Sequence, residues 1–265
     1  MEKICDLHIH SKYSGGSSKN IDISKMAIAS DKKSVDIVGT GDCTHLSWLK
    51  ELKINLVEYS NGIYYTPKAT LVYFILQTEI EVIWKHNSHL KRIYFIVLFP
   101  NYERLDESLE YISRFGDIRK GGRIKLYKPA EILVYGLKSI DSRIGVIPVH
   151  IFTPYYGIFG NYSGFNNLKK ALGDSMSLKY AVESGLSAYP FMVRSISVLN
   201  KNIIISNSDS HSTSYHRLGR EANLIYLNKL DFQNLIDSIR KDRIIKTYEF
   251  KSSVGKYYYD RHRKE

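Results

Sequence analysis

The sequence predicts an α/β domain built on a mainly parallel sheet. Two observations carry this. Short apolar runs of strand length alternate with segments of helical periodicity. Residue types that bind metal recur just past the ends of those runs, where the chemistry of such domains collects.

The elements follow in order. Ile4 to His10 reads as a strand running into a polar loop, and Ile23 to Ser34 as a helix. Val35 to Gly39 is a second strand ending in the turn-like Gly39-Thr40-Gly41-Asp42. Leu46 to Leu56 suits a helix. Val72 to Trp84, rich in β-branched and aromatic residues, suits a strand or hairpin, and Ile93 to Phe99 a strand. Leu105, Leu109 and Ile112 fall at helical spacing. Ile144 to Phe152, Ala181 to Ser184 and Ile203 to Ser206 read as strands. Phe232, Leu235, Ile236 and Ile239 form a helical stripe, with Asp231 placed to cap it. The main domain is expected over 1–250. A basic, Tyr-rich tail follows over 251–265, with Tyr257 to Tyr259 before Arg261, His262, Arg263 and Lys264.

Composition bounds the class. In 265 residues, 43% are hydrophobic and 25% charged, which disfavours disorder, collagen and coiled coil. No apolar run reaches the length of a membrane helix, and no signal-peptide pattern opens the chain. Two cysteines, Cys5 and Cys43, make no disulfide framework, so a reducing cytoplasm is expected. An excess of 38 basic over 27 acidic side chains leaves +11, which suits a phosphate-rich partner such as nucleic acid and also a merely solvated surface.

The chemistry lies in a recurring placement. His8 and His10 follow Ile4, Asp42 and His45 follow the second strand, and Glu79 ends Phe74-Ile75-Leu76. His150 ends Val146 to Val149, and Asp209 and His211 follow Ile203 to Ile205. Residues two apart in a strand share a face, so His8 and His10 can grip one cation. Imidazole with carboxylate suits Zn²⁺, Mn²⁺ or Fe²⁺, and a carboxylate such as Glu79 can bridge two ions. One such residue alone would be an ordinary turn or a satisfied core histidine. Five strand ends carrying only ligand types point to a metal site, with Asp209 and His211 at its catalytic centre. Lys12 and Arg220 are candidates to neutralise a substrate phosphate.

Asp6-Leu7-His8-Ile9-His10-Ser11, Gly39-Thr40-Gly41-Asp42, Thr78-Glu79, Pro148-Val149-His150 and Ser208-Asp209-Ser210-His211 together resemble the PHP (polymerase and histidinol phosphatase) superfamily. Within it, Val38 to His45, Phe74 to Glu79, Ile158-Phe159-Gly160, Glu183 to Ser187, Ser206 to His211 and Leu218 to Leu224 resemble the catalytic domain of the endonuclease Q family. The resemblance implies a distorted (β/α)₇ barrel holding two or three divalent ions (Zn, Mn or Mg). It also implies cleavage of damaged DNA, single- or double-stranded, 5′ of a deaminated base or abasic site.

By position, His8, His10, Glu79 and Asp209 would hold one ion, Glu79 and His150 a second, and Asp42 or His45 with His211 would complete the site. Two departures accompany the likeness. Tyr94 stands where the superfamily usually places a ligand histidine. The family also continues past its His-Arg-Lys segment into a zinc-binding module, whereas this sequence ends at Glu265; a partner protein supplying that module is therefore one expectation. The alternatives are a nucleic-acid-binding relative without catalysis and a phosphomonoesterase of the histidinol phosphatase kind.

Overall fold

A computed structural model describes residues 1–86, 88–173 and 181–251. Its elements in order are β1 (Glu2–Asp6), α1 (Ile23–Asp31), β2 (Ile37–Gly39), α2 (Leu46–Asn55), β3 (Val57–Ser60), β4 (Ile63–Tyr65), β5 (Tyr73–His86) and β6 (His89–Phe99). There follow α3 (Tyr102–Ser113), β7 (Ile124–Leu126), α4 (Ala130–Ile140), β8 (Gly145–Pro148), α5 (Leu168–Leu172), β9 (Ala181–Glu183) and α6 (Pro190–Arg194). The last described elements are β10 (Ile203–Ile205), β11 (Ala222–Tyr226), α7 (Phe232–Arg240) and β12 (Ile244–Tyr248). Of the expected 251–265 tail, everything beyond Lys251 lies outside the described residues.

The strands wrap into a distorted barrel. β1, β2 and β5 run parallel side by side. The sheet continues from β5 through β6 to β8. β9 and β10 form their own parallel ladder. Among the described residues that ladder joins β1 only through the isolated bridge of Ile9 with Ser210. The barrel is therefore not closed by continuous hydrogen bonding.

The expectation of a mainly parallel sheet is corrected. Among the described residues six strand pairs are antiparallel and four parallel. The cause is local. His86 pairs with His89, three positions further on, and a connection so short returns the chain antiparallel. β11 and β12 then add two antiparallel strands beside β1. His86 and His89 end strands rather than forming a loop, and both are exposed.

Strand alternation sorts the core into two layers. Cys5, Ile37, Ile75, Ile96, Ile147 and Ile205 share the inner cluster; Val38, Phe74, Leu76, Phe95 and Val97 face the helices. The apolar stripe of α7 joins the inner cluster. Its Ile236 lies against Gly145, at the start of β8 and away from the strand ends that carry the site. Asp22, Asn101 and Asp231 cap α1, α3 and α7 by accepting from the backbone N–H three residues on, each contributing about 1 kcal/mol.

Candidate metal centre

His8 and His10 follow β1, where the strand gives way to a segment held by buried side chains. Leu7 N donates to Asn207 Oδ1 at 2.8 Å, and Ile9 N to Gln77 Oε1 at 3.4 Å. His10 N donates to Ser210 O at 2.8 Å, so the segment after β1 lies against the one after β10. This brings the two histidines onto Asp209. His8 Nε2 is 3.8 Å and His10 Nε2 3.1 Å from Asp209 Oδ1. Ligand atoms of the three residues lie within 4.8 Å of one another.

The ring nitrogens are sorted by what stands behind them. His8 Nδ1 donates to the buried Glu183 carboxylate at 3.0 and 3.2 Å. His10 Nδ1 faces Asp42 Oδ1 at 3.2 Å, and His211 Nδ1 donates to the Asp209 carbonyl at 3.0 Å. With one proton held at Nδ1, Nε2 is the position left on each ring for a cation or a second proton. Nε2 of His8 and of His10 are buried with no hydrogen-bond partner. A carboxylate behind an imidazole that faces a shared point is the usual support of a metal-binding histidine, so the donor set fits a divalent ion.

The electrostatics agree. Burial alone would push His8 down, but Glu183, Asp209 and Glu79 around it carry it up to about 9. Burial likewise opposes a charge on His10, and its carboxylate partners Asp209 and Asp42 raise it well above its usual value. Asp209 is held well below the carboxylate range, against its burial, by His10 and His8. Positive charge is stabilised where the Nε2 atoms meet. His211 is pushed down, chiefly by burial and by His10, and stays neutral. Its ring lies 4.2 Å from that of His10.

Glu79, expected at a strand end, is instead in the interior of β5, which runs on to His86. Its Oε1 accepts from His150 Nε2 at 3.0 Å. Its Oε2 lies 3.5 Å from His10 Nε2 and accepts from Arg123 at 3.2 Å. His150 thus differs from the other histidines: its Nε2 is spent on Glu79, and its Nδ1 is buried without a partner. Tyr94 packs its ring 4.8 Å from that of His150, beneath the Arg123 guanidinium at 5.2 Å. Burial, with Glu81 beside it, pushes the Tyr94 phenol up to about 12, so it keeps its proton.

Backbone strain marks the same residues. Asp42, His150 and Asp209 have φ of 43°, 34° and 47°, a region L-residues avoid. Asp42 is locked there by Ser11 N, Ser11 Oγ and Ser14 Oγ, which donate to its Oδ2 at 2.7, 2.6 and 2.9 Å. Between Asp42 and His45 the geometry is plain. Asp42 supports His10, while His45 Nδ1 caps α2 by accepting from Trp48 N at 3.4 Å and its ring stacks on Tyr13 at 4.2 Å.

Neither substrate candidate is unpaired. Lys12 bonds Glu51 at 2.8 Å, and Arg220 Nε donates to Ser208 O at 2.9 Å, bracing the turn that carries Asp209. In the 15–18 loop, Ser18 N donates to His211 O at 2.9 Å and Ser17 N to Ser14 O at 3.2 Å. Two groups were given no role in the sequence reading: Glu183, quoted there only within the endonuclease Q likeness, and Arg123. Glu183 is the last residue of β9, so the strand-end rule would have found it. Arg123 precedes a strand and carries no such signal.

The comparisons with known proteins fit this geometry. A crystal structure of the lesion-specific endonuclease Q of Pyrococcus furiosus superposes with a TM-score of 0.85 and 30% identity, over 97% of this chain and 61% of that one. The chain resembles endonuclease Q. A second endonuclease Q structure, in complex with a 27-mer duplex bearing an abasic lesion at the active site, gives 0.86 and 30% over 97% of this chain and 62% of that one. An uncharacterized protein of Bacillus subtilis is 28% identical over 97% of this chain and 68% of its own length. An uncharacterized protein of Methanocaldococcus jannaschii is 31% identical over 150 residues, and that match spans 16% of its length. The chain thus covers about three fifths of the solved endonucleases. No family model matches it. Among the described residues no helix is long and apolar enough to cross a membrane.

Proposed function

We propose that the chain is a metal-dependent phosphodiesterase that cleaves the DNA backbone at deaminated bases or abasic sites. What supports the reading is the meeting of His8 Nε2, His10 Nε2 and Asp209 Oδ1, each imidazole backed by a carboxylate. The whole-chain likeness to endonuclease Q, one structure of which holds an abasic duplex, supports DNA as the substrate. The +11 net charge suits that polyanion.

His8, His10 and Asp209 would hold the ion, with Glu79 at its edge. A divalent ion bound there polarises a phosphoryl oxygen and lowers the pKa of water. Glu183 and Asp42 keep the two imidazoles oriented. Asp209, with its side chain 31% exposed, marks where the cluster opens to solvent and where a backbone phosphate can approach. Hydrolysis adds the water oxygen to phosphorus and breaks one bridging P–O bond. The electron pair leaves with the sugar oxygen, which gains a proton as the water loses one. Neutral His211, its Nδ1 held by the Asp209 carbonyl so that the lone pair stays on Nε2, is the group placed to take the water's proton. A damaged base must leave the stack to be read, which costs a few kcal/mol and is least for a mismatched base.

The test is cleavage of uracil-containing and abasic oligonucleotides with Mn²⁺ or Mg²⁺. Nicking at the lesion that is abolished by EDTA and by Asp209→Ala is the expected result. No nicking with any ion, or turnover of small phosphate esters alone, refutes the reading.

A further inference from the structure

We propose that Arg123 is the second cation of this centre, so that the chain binds a single divalent ion and meets the substrate phosphate with a guanidinium. The proposal rests on the hydrolase reading above and concerns how that site is charged.

The argument begins with strand register. β7 pairs parallel to β5, Ile124 opposite Ile80 and Lys125 opposite Glu81. Arg123 therefore stands beside Glu79, one step before the pairing begins. The side chains meet as the backbone dictates: Arg123 donates to Glu79 Oε2 at 3.2 Å, and its Nε is 3.7 Å from Glu81 Oε2. The Tyr94 ring lies beneath the guanidinium at 5.2 Å, a cation–π contact on its third side.

These contacts use up the carboxylate a second ion would need. Glu79 gives Oε1 to His150 and Oε2 to Arg123, and Oε2 is also the oxygen nearest His10 Nε2, at 3.5 Å. A divalent ion bridged by Glu79 on the His150 side would stand against a permanent positive charge, because guanidinium does not deprotonate in proteins. Tyr94 packs beside His150 where the superfamily usually places a ligand histidine, so no imidazole is added on that side.

The placement depends on an unusual loop. Gly122 is so tightly seated that a Cβ on it would stand 2.4 Å from Asp42 Oδ2 and 2.6 Å from Ser14 Oγ. Gly122 N donates to Tyr13 O at 3.0 Å, tying the loop to the segment that follows His10. The loop preceding Arg123 thus lies directly on the carboxylate that orients His10. The Arg123 side chain is 40% exposed although two acids and an aromatic ring hold it. That exposure leaves guanidinium surface for a phosphate, whose oxygens arginine binds in pairs.

Ion counting tests this without relying on turnover. The metal-free chain is titrated with Mn²⁺ and followed by elemental analysis and electron paramagnetic resonance. The unaltered protein is expected to take one ion and give the spectrum of an isolated Mn²⁺. Arg123→Ala should open Glu79 and His150 to a second ion, with stoichiometry rising towards two and a spin-coupled spectrum appearing. Arg123→Lys, which keeps the charge and guards against a folding defect in the alanine variant, should stay at one. Affinity of the one-ion protein for inorganic phosphate should fall at least tenfold in Arg123→Ala. Two coupled ions in the unaltered chain overturn the proposal while leaving the hydrolase reading intact. One ion and unchanged phosphate affinity in Arg123→Ala also overturn it. No ion in the unaltered chain refutes the hydrolase reading itself, and this proposal with it.

Discussion

Glu183→Gln isolates the support behind the centre from its ligands. Among the described residues every hydrogen-bond partner of this carboxylate is a donor. Oε1 accepts from His150 N at 3.3 Å and faces His8 Nδ1 at 3.2 Å; Oε2 accepts from Asn207 Nδ2 at 2.8 Å and faces His8 Nδ1 at 3.0 Å. Glutamine has nearly the same shape but replaces one oxygen with NH₂. Whichever way the amide lies, its N–H₂ group meets a donor. A facing pair of donors in a site this buried costs about 1–3 kcal/mol. His8 can relieve it by moving its proton to Nε2, but that removes the lone pair aimed at Asp209. Losing such a support typically weakens metal binding 10–100-fold, or about 1.4–2.7 kcal/mol. The assay is competition for Zn²⁺ or Mn²⁺ against a chelator of known affinity at fixed pH, with circular dichroism to establish that the variant is folded. Metal affinity of folded Glu183→Gln within threefold of the unaltered protein would refute the role assigned to Glu183.

Three further outcomes follow from the geometry. Glu221 is 1% exposed, and burial with Glu249 and Glu183 nearby pushes it up from 4.5 to about 9; the folded state therefore holds a proton that the unfolded chain releases, and stability falls as pH rises from about 4.5 to about 9. Glu221→Gln should flatten that fall by on the order of 1–3 kcal/mol between pH 5 and pH 7, read from melting temperature against pH; an unchanged slope contradicts it. Gly122→Ala should lower stability by about 1–3 kcal/mol and reduce oligonucleotide cleavage at least tenfold, because the loop must lift off Asp42; wild-type melting and turnover together would show that the loop yields freely. His45→Ala should cost about 0.5–2 kcal/mol as the loss of a helix cap while metal content stays unchanged, and loss of the ion would return His45 to the ligand set.

Much of the centre was legible because strand geometry acts on it directly. A parallel strand throws its last side chains into the mouth of a barrel, so His8, His10, His150, Asp209 and His211 could be placed from apolar runs alone. Rotation within a turn is not visible in that pattern. Asp42 and His45 are three residues apart, yet the left-handed backbone at Asp42 aims one carboxylate at His10, while the other residue becomes the first cap of a helix. Arg123 was out of reach for a deeper reason. β5 does not stop at the barrel rim but runs past Glu79 to His86, and its outer half recruits β7 as a neighbour. A residue at the start of that added strand enters the site from beyond the rim, where a rule about strand ends cannot look. The long hairpin that made the sheet more antiparallel than expected is thus the same feature that delivers a fixed positive charge to Glu79. A chain with β5 ending at the rim would have no strand to carry Arg123, and its Glu79 would be open to a second ion.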